Sequence, residues 1–487
     1  MAGPAWLRQM LRRLGRDEGG NAAMIFGLCA LPLAAGAGLA IDTLLAYSVE
    51  DQLQKSLDAA GLAAGRTALP ENVEADARSY FTTNFTSGPR LATLDADDLQ
   101  IEVSEVGDEL VLSATAVMPT RFMRLFGQDT VTVAATTVIN REIRQMELAL
   151  VLDNTGSMLG SKFTTMQAAA LDLVDIVYGD VETNPNLYVA VVPYTAVVNM
   201  GSTRSSWLAA TDPVRVGPNP YAPTTWKGCV MARTGGFDQT DDPPSVAPFR
   251  SYLYPDDIDN NWNGSPNVYG ALVNPAIKDW LTANNEGYGP NLGCGPPITP
   301  LVQPKSDVVA ALNNMGPWHR GGTAGNLGMV WGWRVLSPRW RGLWGGNTPN
   351  TRPLDYDASD TDKVVVMLTD GDNNVYDHNG GGPRGSDFTA YGRLHDASFM
   401  GPGTTATVAQ GRANLDTRMT TVCNRMKAEG ILIYTITFGT QPTASTQNLY
   451  RTCATRPEYY YHSPDNATLR SVFRSIGIQL SNLRIAQ

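Results

Sequence analysis

The chain has 487 residues, of which 43% are hydrophobic and 17% are charged, and its formal net charge is −10. This length allows two or three domains, and the apolar content supports a sizeable packed core. The net charge is acidic, and no segment of the sequence indicates a basic face. We therefore expect no nucleic-acid partner. We also expect no small-molecule substrate.

The N-terminal segment predicts a membrane anchor. Residues 22–41 are apolar and uncharged, and a helix of about 20 such residues crosses a bilayer. The preceding segment, residues 1–21, is basic and contains four arginines: Arg8, Arg12, Arg13 and Arg16. The positive-inside rule keeps these arginines in the cytoplasm and translocates everything after Asp42. The sequence therefore predicts a single-pass inner-membrane protein whose bulk is periplasmic.

Two other interpretations of this anchor are open. A cleaved signal peptide is one, although the apolar run exceeds the usual length of about 7 to 15 residues and offers only a weak cleavage site. Prepilin processing after Gly19 or Gly20 is the other. Pilin-type leaders are followed by Glu at the fifth mature position, and here Met24 or Ile25 stands there. We therefore expect an uncleaved anchor.

Residues 42–145 predict an extracytoplasmic helix followed by a small α+β module. Apolar side chains recur at a spacing of four along the helix, which is typical of one buried face: Leu45, Val49, Leu53 and Leu57. Residues 72–85 are then a second predicted helix. Three stretches with alternating polarity predict strands, at 99–106, 109–118 and 130–139. This module shows no chemistry of its own.

Residues 146–487 predict an α/β domain with a doubly wound, mostly parallel sheet. The apolar runs 146–152 and 363–369 each end at an acidic residue, and continuous apolar runs are typical of strands buried on both faces. Two stretches rich in Gly, Pro and polar residues, at about 201–304 and 373–404, predict long loop insertions. We expect these insertions to lie beside the strand ends and to influence partner choice.

Five oxygen-bearing residues follow these strands and predict a metal site: Asp153, Thr155, Ser157, Thr323 and Asp370. Ligands in open α/β sheets collect at the carboxyl ends of strands, so we expect these side chains to converge. Oxygen ligands favour Mg²⁺, with Ca²⁺ or Mn²⁺ as alternatives, and they leave room for a carboxylate from another protein. The competing interpretation is that such residues only cap helices or make turns, with Thr323 as an N-cap.

The motifs DNTGS, GGT and LTDGD, in that order, resemble the metal-ion-dependent adhesion site of a von Willebrand factor A domain. The resemblance implies that Thr155 and Ser157 are hydroxyl ligands and that Thr323 is a switchable ligand. It implies that Asp153 and Asp370 act mainly through water. The partner would then be a protein that supplies an Asp or Glu carboxylate.

The segment GGNAAMIFGLCALPLAAGAGLAIDTLLAYSVEDQLQKSLDAAGLAAG resembles the N-terminus of TadG-like proteins of the Flp (Tad) pilus assembly machinery. Further resemblance to that family lies in four later segments: GGTAGNLGMVWGWRVLSP, VVMLTDGDNN, GILIYTITFG and LRSVFRSIGIQLSNLRI. In those proteins an anchor and an Ala-rich helix precede a periplasmic von Willebrand factor A domain. The resemblance implies a non-enzymatic adaptor or scaffold of Tad-type pilus assembly. Its partner would be a pilus or envelope component.

The cysteines fit an exported chain. Cys29 lies in the anchor, and four others lie in the translocated part, where an oxidising compartment favours two disulfides. Three pairings are possible, and proximity along the chain favours Cys229 with Cys294 and Cys423 with Cys453. A zinc site is disfavoured because the chain has neither a CxxC pair nor an HExxH motif.

Two other functions remain open. DNTGS also resembles the phosphorylation loop of P-type ATPases and of the haloacid dehalogenase group, in which Asp153 would be the nucleophile of a Mg²⁺-dependent phosphohydrolase. Asn154 replaces the lysine of that loop, however, and the chain has one predicted span instead of many. The chain could also be a structural envelope protein with an unused metal site. A serine hydrolase is disfavoured because no GxSxG motif pairs with a histidine.

Overall fold

The computed structural model describes residues 18–65, 70–85, 92–94, 98–104, 109–140, 144–257, 260, 262, 287–318, 320–377, 385–396, 406–440 and 442–484. The arginines that set the predicted orientation lie outside these residues, as do parts of both predicted insertions. The chain divides into two compact units, Met1–Arg141 and Glu142–Ala486. We refer to them as the N-terminal unit and the C-terminal unit.

The N-terminal unit is built on one long helix, α1 (Glu18–Ala64), which contains both the predicted anchor and the predicted amphipathic helix. Its first half exposes large apolar side chains such as Phe26 and Leu33, and the helix is long and apolar enough to cross a membrane. Its second half buries Val49 and Leu53 in the core of the unit. The part that the sequence assigns to the bilayer therefore exposes apolar side chains, whereas the following part buries one face in the core of the unit.

The predicted α+β module forms beside the second half of α1. It contains α2 (Pro70–Asn84) and an antiparallel sheet whose strands lie in the order β1 (Leu99–Val103), β2 (Glu109–Pro119) and β3 (Thr130–Asn140). Alternate residues of β2, such as Leu110 and Leu112, are buried against α1. The predicted alternation thus places the apolar residues on the face of the sheet that packs against α1.

The C-terminal unit contains, within the described residues, a six-stranded sheet of order β13-β12-β10-β4-β5-β8. Its strands are β4 (Gln145–Asp153), β5 (Leu187–Tyr194), β8 (Thr299–Val302), β10 (Thr361–Thr369), β12 (Leu432–Phe438) and β13 (Tyr460–Ser463). Neighbouring strands are parallel except for β8, which is antiparallel to β5. The mostly parallel sheet predicted from the sequence is confirmed.

Helices cover both faces of this sheet. Leu148 and Leu150 of β4 lie in a core with the helices α3, α5 and α9, whereas Ala149 and Val151 lie in a second core with α6, α7 and α8. Among the described residues, the helices of the unit are α3 (Ser161–Tyr178), α4 (Pro213–Val216), α5 (Lys305–Asn313), α6 (Gly325–Leu336), α7 (Val408–Ala428), α8 (Ala444–Cys453) and α9 (Asn466–Arg484). Because both faces are covered, β4 is apolar along nearly its whole length.

The first predicted insertion packs onto the unit through aromatic side chains. Phe249 stacks on Trp331 of α6 with ring centroids 5.2 Å apart, and both side chains are buried. The short strands β6 (Val198–Asn199) and β7 (Cys229–Val230) pair within this region. Since β8 belongs to the main sheet, the insertion ends before Thr299, earlier than the predicted boundary at residue 304.

Two disulfides cross-link the C-terminal unit. Cys229 bonds Cys294 and closes the insertion, and Cys423 of α7 bonds Cys453 of α8. Both pairings are those favoured from the sequence. With four thiols consumed in this way, a cysteine zinc site has no ligands left among these residues.

Candidate metal centre

Asp153 ends β4 and is completely buried at the carboxyl edge of the sheet. Its Oδ1 accepts hydrogen bonds from the backbone N of Thr155 at 2.9 Å and from Thr155 Oγ1 at 2.6 Å. Its Oδ2 accepts from Thr369 Oγ1, at the end of the neighbouring strand β10, at 2.8 Å. Three donors from two strand ends therefore fix this carboxylate in one position.

The hydroxyl groups of the DNTGS turn connect Asp153 to Asp370. A short 3-10 turn, Gly156–Met158, follows Thr155 and turns the chain back towards the sheet. Thr155 Oγ1 lies 3.0 Å from Ser157 Oγ, and Ser157 Oγ donates to Asp370 Oδ1 at 2.5 Å. Each hydroxyl has one proton and donates it to a carboxylate, so the contact between Thr155 and Ser157 is a close approach of two oxygens. Four of the five predicted ligands thus form one continuous row of oxygens, neighbours lying no more than 3.0 Å apart, across two strand ends.

Thr323 reaches the same place from another part of the chain. It lies in the short strand β9 (Gly322–Thr323), which pairs with β11 (Asn374–Val375) just after Asp370. Thr323, Thr155 and Ser157 line one cavity of about 360 Å³. The structure therefore brings all five predicted residues to one rim of the sheet.

A glycine makes the β9–β11 pairing possible. Gly322 has a φ of 104°, and a Cβ there would lie 2.2 Å from the carbonyl oxygen of Asn374. Only glycine tolerates this conformation and this approach without strain. The N-cap of α6 is Ala324 and has no side-chain cap. The interpretation of Thr323 as an N-cap is therefore wrong.

The carboxylates of Asp153 and Asp370 are close enough for their negative charges to repel each other. Burial, followed by the charge of Asp370, raises the pKa of Asp153 to about 6, against the hydrogen bonds from Thr155 and Thr369. Lys162 of α3 partly offsets this charge, because its Nζ lies 2.7 Å from Asp370 Oδ2. A rim with two buried carboxylates and one half-buried ammonium still favours an added cation.

The donor set fits a hard divalent cation. It consists of two carboxylates and three hydroxyls, all oxygen donors, which Mg²⁺ and Ca²⁺ prefer. Within the part of the chain that the structure describes, no group of three or more His, Cys, Asp or Glu side chains could hold a metal ion. This set of oxygen donors is compatible with both Mg²⁺ and Ca²⁺, and it differs from the thiolate or imidazole ligands that softer metals prefer.

Sequence reasoning missed several residues at this rim. Thr369 directly precedes Asp370, so its place at the strand end was a readable signal. Lys162 carried no such signal. Arg320 also lines the cavity, with a φ of 89°, and its guanidinium donates to both carboxylate oxygens of Asp387 at 3.0 and 3.1 Å. This buried ion pair fixes the position of Arg320 in the cavity lining.

Comparisons with known proteins give one family match and several distant structures. Residues 20–67 match the family model of Flp pilus-assembly TadE/G-like proteins. No curated protein sequence gives a significant match. Among solved structures, the vWF domain of the type V pili tip protein Mfa5 from Porphyromonas gingivalis is 8% identical, with a TM-score of 0.37, over 71% of this chain and 97% of that chain.

Two further solved structures match with comparably low sequence identity and TM-score. Proximal thread matrix protein 1 from the mussel byssus, with a zinc-occupied MIDAS motif, is 13% identical, with a TM-score of 0.30, over 70% of this chain. The match spans less than half of that protein, 46%. The pilus adhesin SpaC from Lactobacillus rhamnosus GG, in its open conformation, is 10% identical, with a TM-score of 0.35, over 81% of this chain and 36% of that chain. The predicted TadG-like N-terminus is confirmed by the family match, and residues 20–67 carry a TadE/G-like Flp pilus-assembly segment.

Proposed function

We propose that this protein is a membrane-anchored, extracytoplasmic adaptor of Tad-type pilus assembly that binds a protein partner through a divalent metal ion. In this proposal the C-terminal unit is a von Willebrand factor A type domain. The observation that carries it is the continuous set of oxygens from Asp153 through Thr155 and Ser157 to Asp370, with Thr323 on the same cavity.

The side chains divide the work of holding the ion. Thr155, Ser157 and Thr323 offer neutral hydroxyl ligands, while Asp153 and Asp370 supply the negative charge and orient those hydroxyls. When bound, the cation supplies an electrophilic position that a partner's Asp or Glu can occupy. The cavity of about 360 Å³ has room for such a carboxylate and several waters, since one water takes about 30 Å³.

The apolar half of α1 and the two disulfides support the proposed membrane anchoring and extracytoplasmic location. The exposed apolar half of α1 fits a membrane-anchored protein, and the TadE/G-like match lies on this same helix. Disulfides persist in oxidising compartments such as the periplasm, and both of them lie in the C-terminal unit. In the proposed orientation the N-terminus is in the cytoplasm, and the C-terminal unit and the part of the N-terminal unit after residue 41 are outside.

The phosphohydrolase alternative assigns Asp153 as a nucleophile. Both of its carboxylate oxygens accept hydrogen bonds, and the side chain has no exposed surface. A carboxylate held in this way serves better as an orienting group than as an attacking one. This geometry favours the binding function.

The proposal is tested with the full chain in detergent or nanodiscs. Mn²⁺ titration followed by electron paramagnetic resonance should show one tight site in the wild type and a loss of at least about tenfold in affinity for Ser157→Ala, the equivalent of ~1.4 kcal/mol. Thr164→Ala removes an exposed hydroxyl on α3 that bonds only to Ser161 O among the contacts described, and it should bind like the wild type.

Partner binding supplies the second readout. Isolated Tad pilus components should be retained by the immobilised chain in Mg²⁺, released by chelator, and not retained by Ser157→Ala. Retention that ignores both the chelator and the substitution would contradict the metal-dependent mechanism. Absence of a Mn²⁺ site would contradict the metal centre itself.

A further inference from the structure

The tip of the β2–β3 hairpin is fastened to α1 just after the predicted span. We call residues 121–126 the hairpin tip. The Asp42 carboxylate accepts hydrogen bonds from three successive backbone N–H groups, those of Arg121, Phe122 and Met123, at 3.0, 2.7 and 2.7 Å. Asp42 has no exposed surface. The position of the hairpin tip along the helix is therefore fixed.

A close contact places this tip at the level of the last turn of the span. A Cβ on Gly38 would lie 2.6 Å from the ring of Phe122, so glycine at this position leaves the space that the Phe122 side chain occupies against α1. Gly38 stands one turn before Asp42, about 6 Å along the axis at 1.5 Å per residue. It belongs to the predicted span, residues 22–41. The tip therefore reaches back beyond the point where α1 leaves the bilayer.

The exposed surface of the tip has the composition of an interfacial segment. Leu125 is 75% exposed and Phe126 is 66% exposed. Arg121 and Arg124, which flank them, are also exposed. Aromatic and aliphatic side chains next to arginines are typical of segments that lie at the boundary between headgroups and acyl chains. In water the same two apolar side chains would gain nothing from their position.

We infer that the hairpin tip inserts Leu125 and Phe126 into the bilayer that α1 crosses, with Arg121 and Arg124 at the lipid phosphates. This inference rests on the membrane anchoring in the proposed function. The contacts with Gly38 and Asp42 favour the bilayer as the environment of the tip, because they make the tip continuous with the predicted span. The N-terminal unit would then contact the membrane at two points, one helix and one hairpin.

Spin-label depth measurements on the full chain test this inference. In a Cys29→Ala background, which removes the free cysteine and leaves both disulfides intact, Leu125→Cys is labelled and placed in nanodiscs of phosphatidylethanolamine and phosphatidylglycerol. The label should be accessible to oxygen and protected from an aqueous nickel chelate. Phe126→Cys should behave in the same way. The dependence on two sites guards against a local effect of one label.

Two control positions separate the inference from the anchoring on which it rests. Leu33→Cys reports the span, and Val138→Cys reports an exposed apolar position at the far end of β3. Chelate access at Leu125 and Phe126 equal to that at Val138, with Leu33 protected, overturns the inference and leaves the anchor standing. Chelate access at Leu33 overturns both. Labels at the tip shielded from oxygen and chelate alike indicate a protein contact and also overturn it.

Discussion

The Lys162 ammonium lies 2.7 Å from Asp370 Oδ2, while Ser157 Oγ donates to the other oxygen of that carboxylate, Oδ1. Asp370 is completely buried, while the lysine side chain is 26% exposed. The partly exposed Lys162 side chain can move towards solvent, whereas the buried Asp370 carboxylate cannot. We therefore expect Lys162 and a divalent cation to compete for Asp370.

Lys162→Met should raise the affinity for Mn²⁺ roughly tenfold, since a unit charge several Å away contributes on the order of 1–2 kcal/mol at an effective dielectric constant of about 20. The titration described for Ser157→Ala measures this change. Lys305→Met is the matched control, because Lys305 pairs with Asp175 instead. An unchanged or weakened affinity in Lys162→Met would contradict the competition.

Mg²⁺ should stabilise the C-terminal unit against unfolding. A ligand that binds only the folded state adds about 2.7 kcal/mol at a concentration of 100 times its dissociation constant. Urea unfolding of the wild type with Mg²⁺ or with chelator should show this difference, and Ser157→Ala should show little of it. An equal gain in both proteins would mean that the ion acts elsewhere.

Thr369→Val should destabilise the protein by about 1–3 kcal/mol, because it removes a donor from the buried Asp153 carboxylate while keeping the side-chain shape. The bond in question is the one of 2.8 Å from Thr369 Oγ1 to Asp153 Oδ2. Thr361→Val, at the other end of β10, removes a hydroxyl that bonds to Ser359 O and should cost much less. Equal losses would show that Thr369 has no special part in orienting Asp153.

Gly322→Ala should move the Thr323 strand away from the rim. The added Cβ meets Asn374 O and the positive φ disfavours alanine, and strain of this kind costs on the order of 1–3 kcal/mol. We expect weaker Mn²⁺ binding together with lower stability. Gly371→Ala adds its Cβ in open space and serves as the control. Wild-type affinity in Gly322→Ala would argue that Thr323 contributes no ligand.

Removing the Cys423–Cys453 disulfide by paired serine substitution should lower the free energy of unfolding by roughly 3–4 kcal/mol in the chain-entropy model. The bond joins residues 30 apart and connects α7 to α8. The Cys229–Cys294 pair joins residues 65 apart, and its loss should cost slightly more. Urea unfolding of the two paired variants gives the comparison, and a reversed order would point to structure retained in the unfolded chain.

The sequence predicts the buried strands well because their burial is written in consecutive residues. β4 begins and ends within one residue of the predicted run 146–152, and β10 ends at Thr369, the last residue of the run 363–369. The convergence of Asp153 and Asp370 also follows, since both end parallel strands at the same edge. These features depend on local pattern and on one general rule of sheet topology.

Other features depend on contacts that no local pattern records. β8 is hidden in a stretch rich in Gly and Pro and forms only because β5 offers a free edge. The place of Thr323 depends on pairing with Asn374 across a tight glycine approach. The bond network from Asp42 to the hairpin tip joins residues about 80 positions apart. Such relationships appear only once the chain is folded.

Helix α1 continues without a break from its exposed apolar half into the half that packs on the antiparallel sheet. A force applied to the antiparallel sheet would therefore be transmitted along the helix axis and not through a flexible linker. In the proposed orientation the span would respond by changing its tilt in the bilayer. A load on the N-terminal unit would in this way become a rigid-body rotation of the helix at the membrane surface.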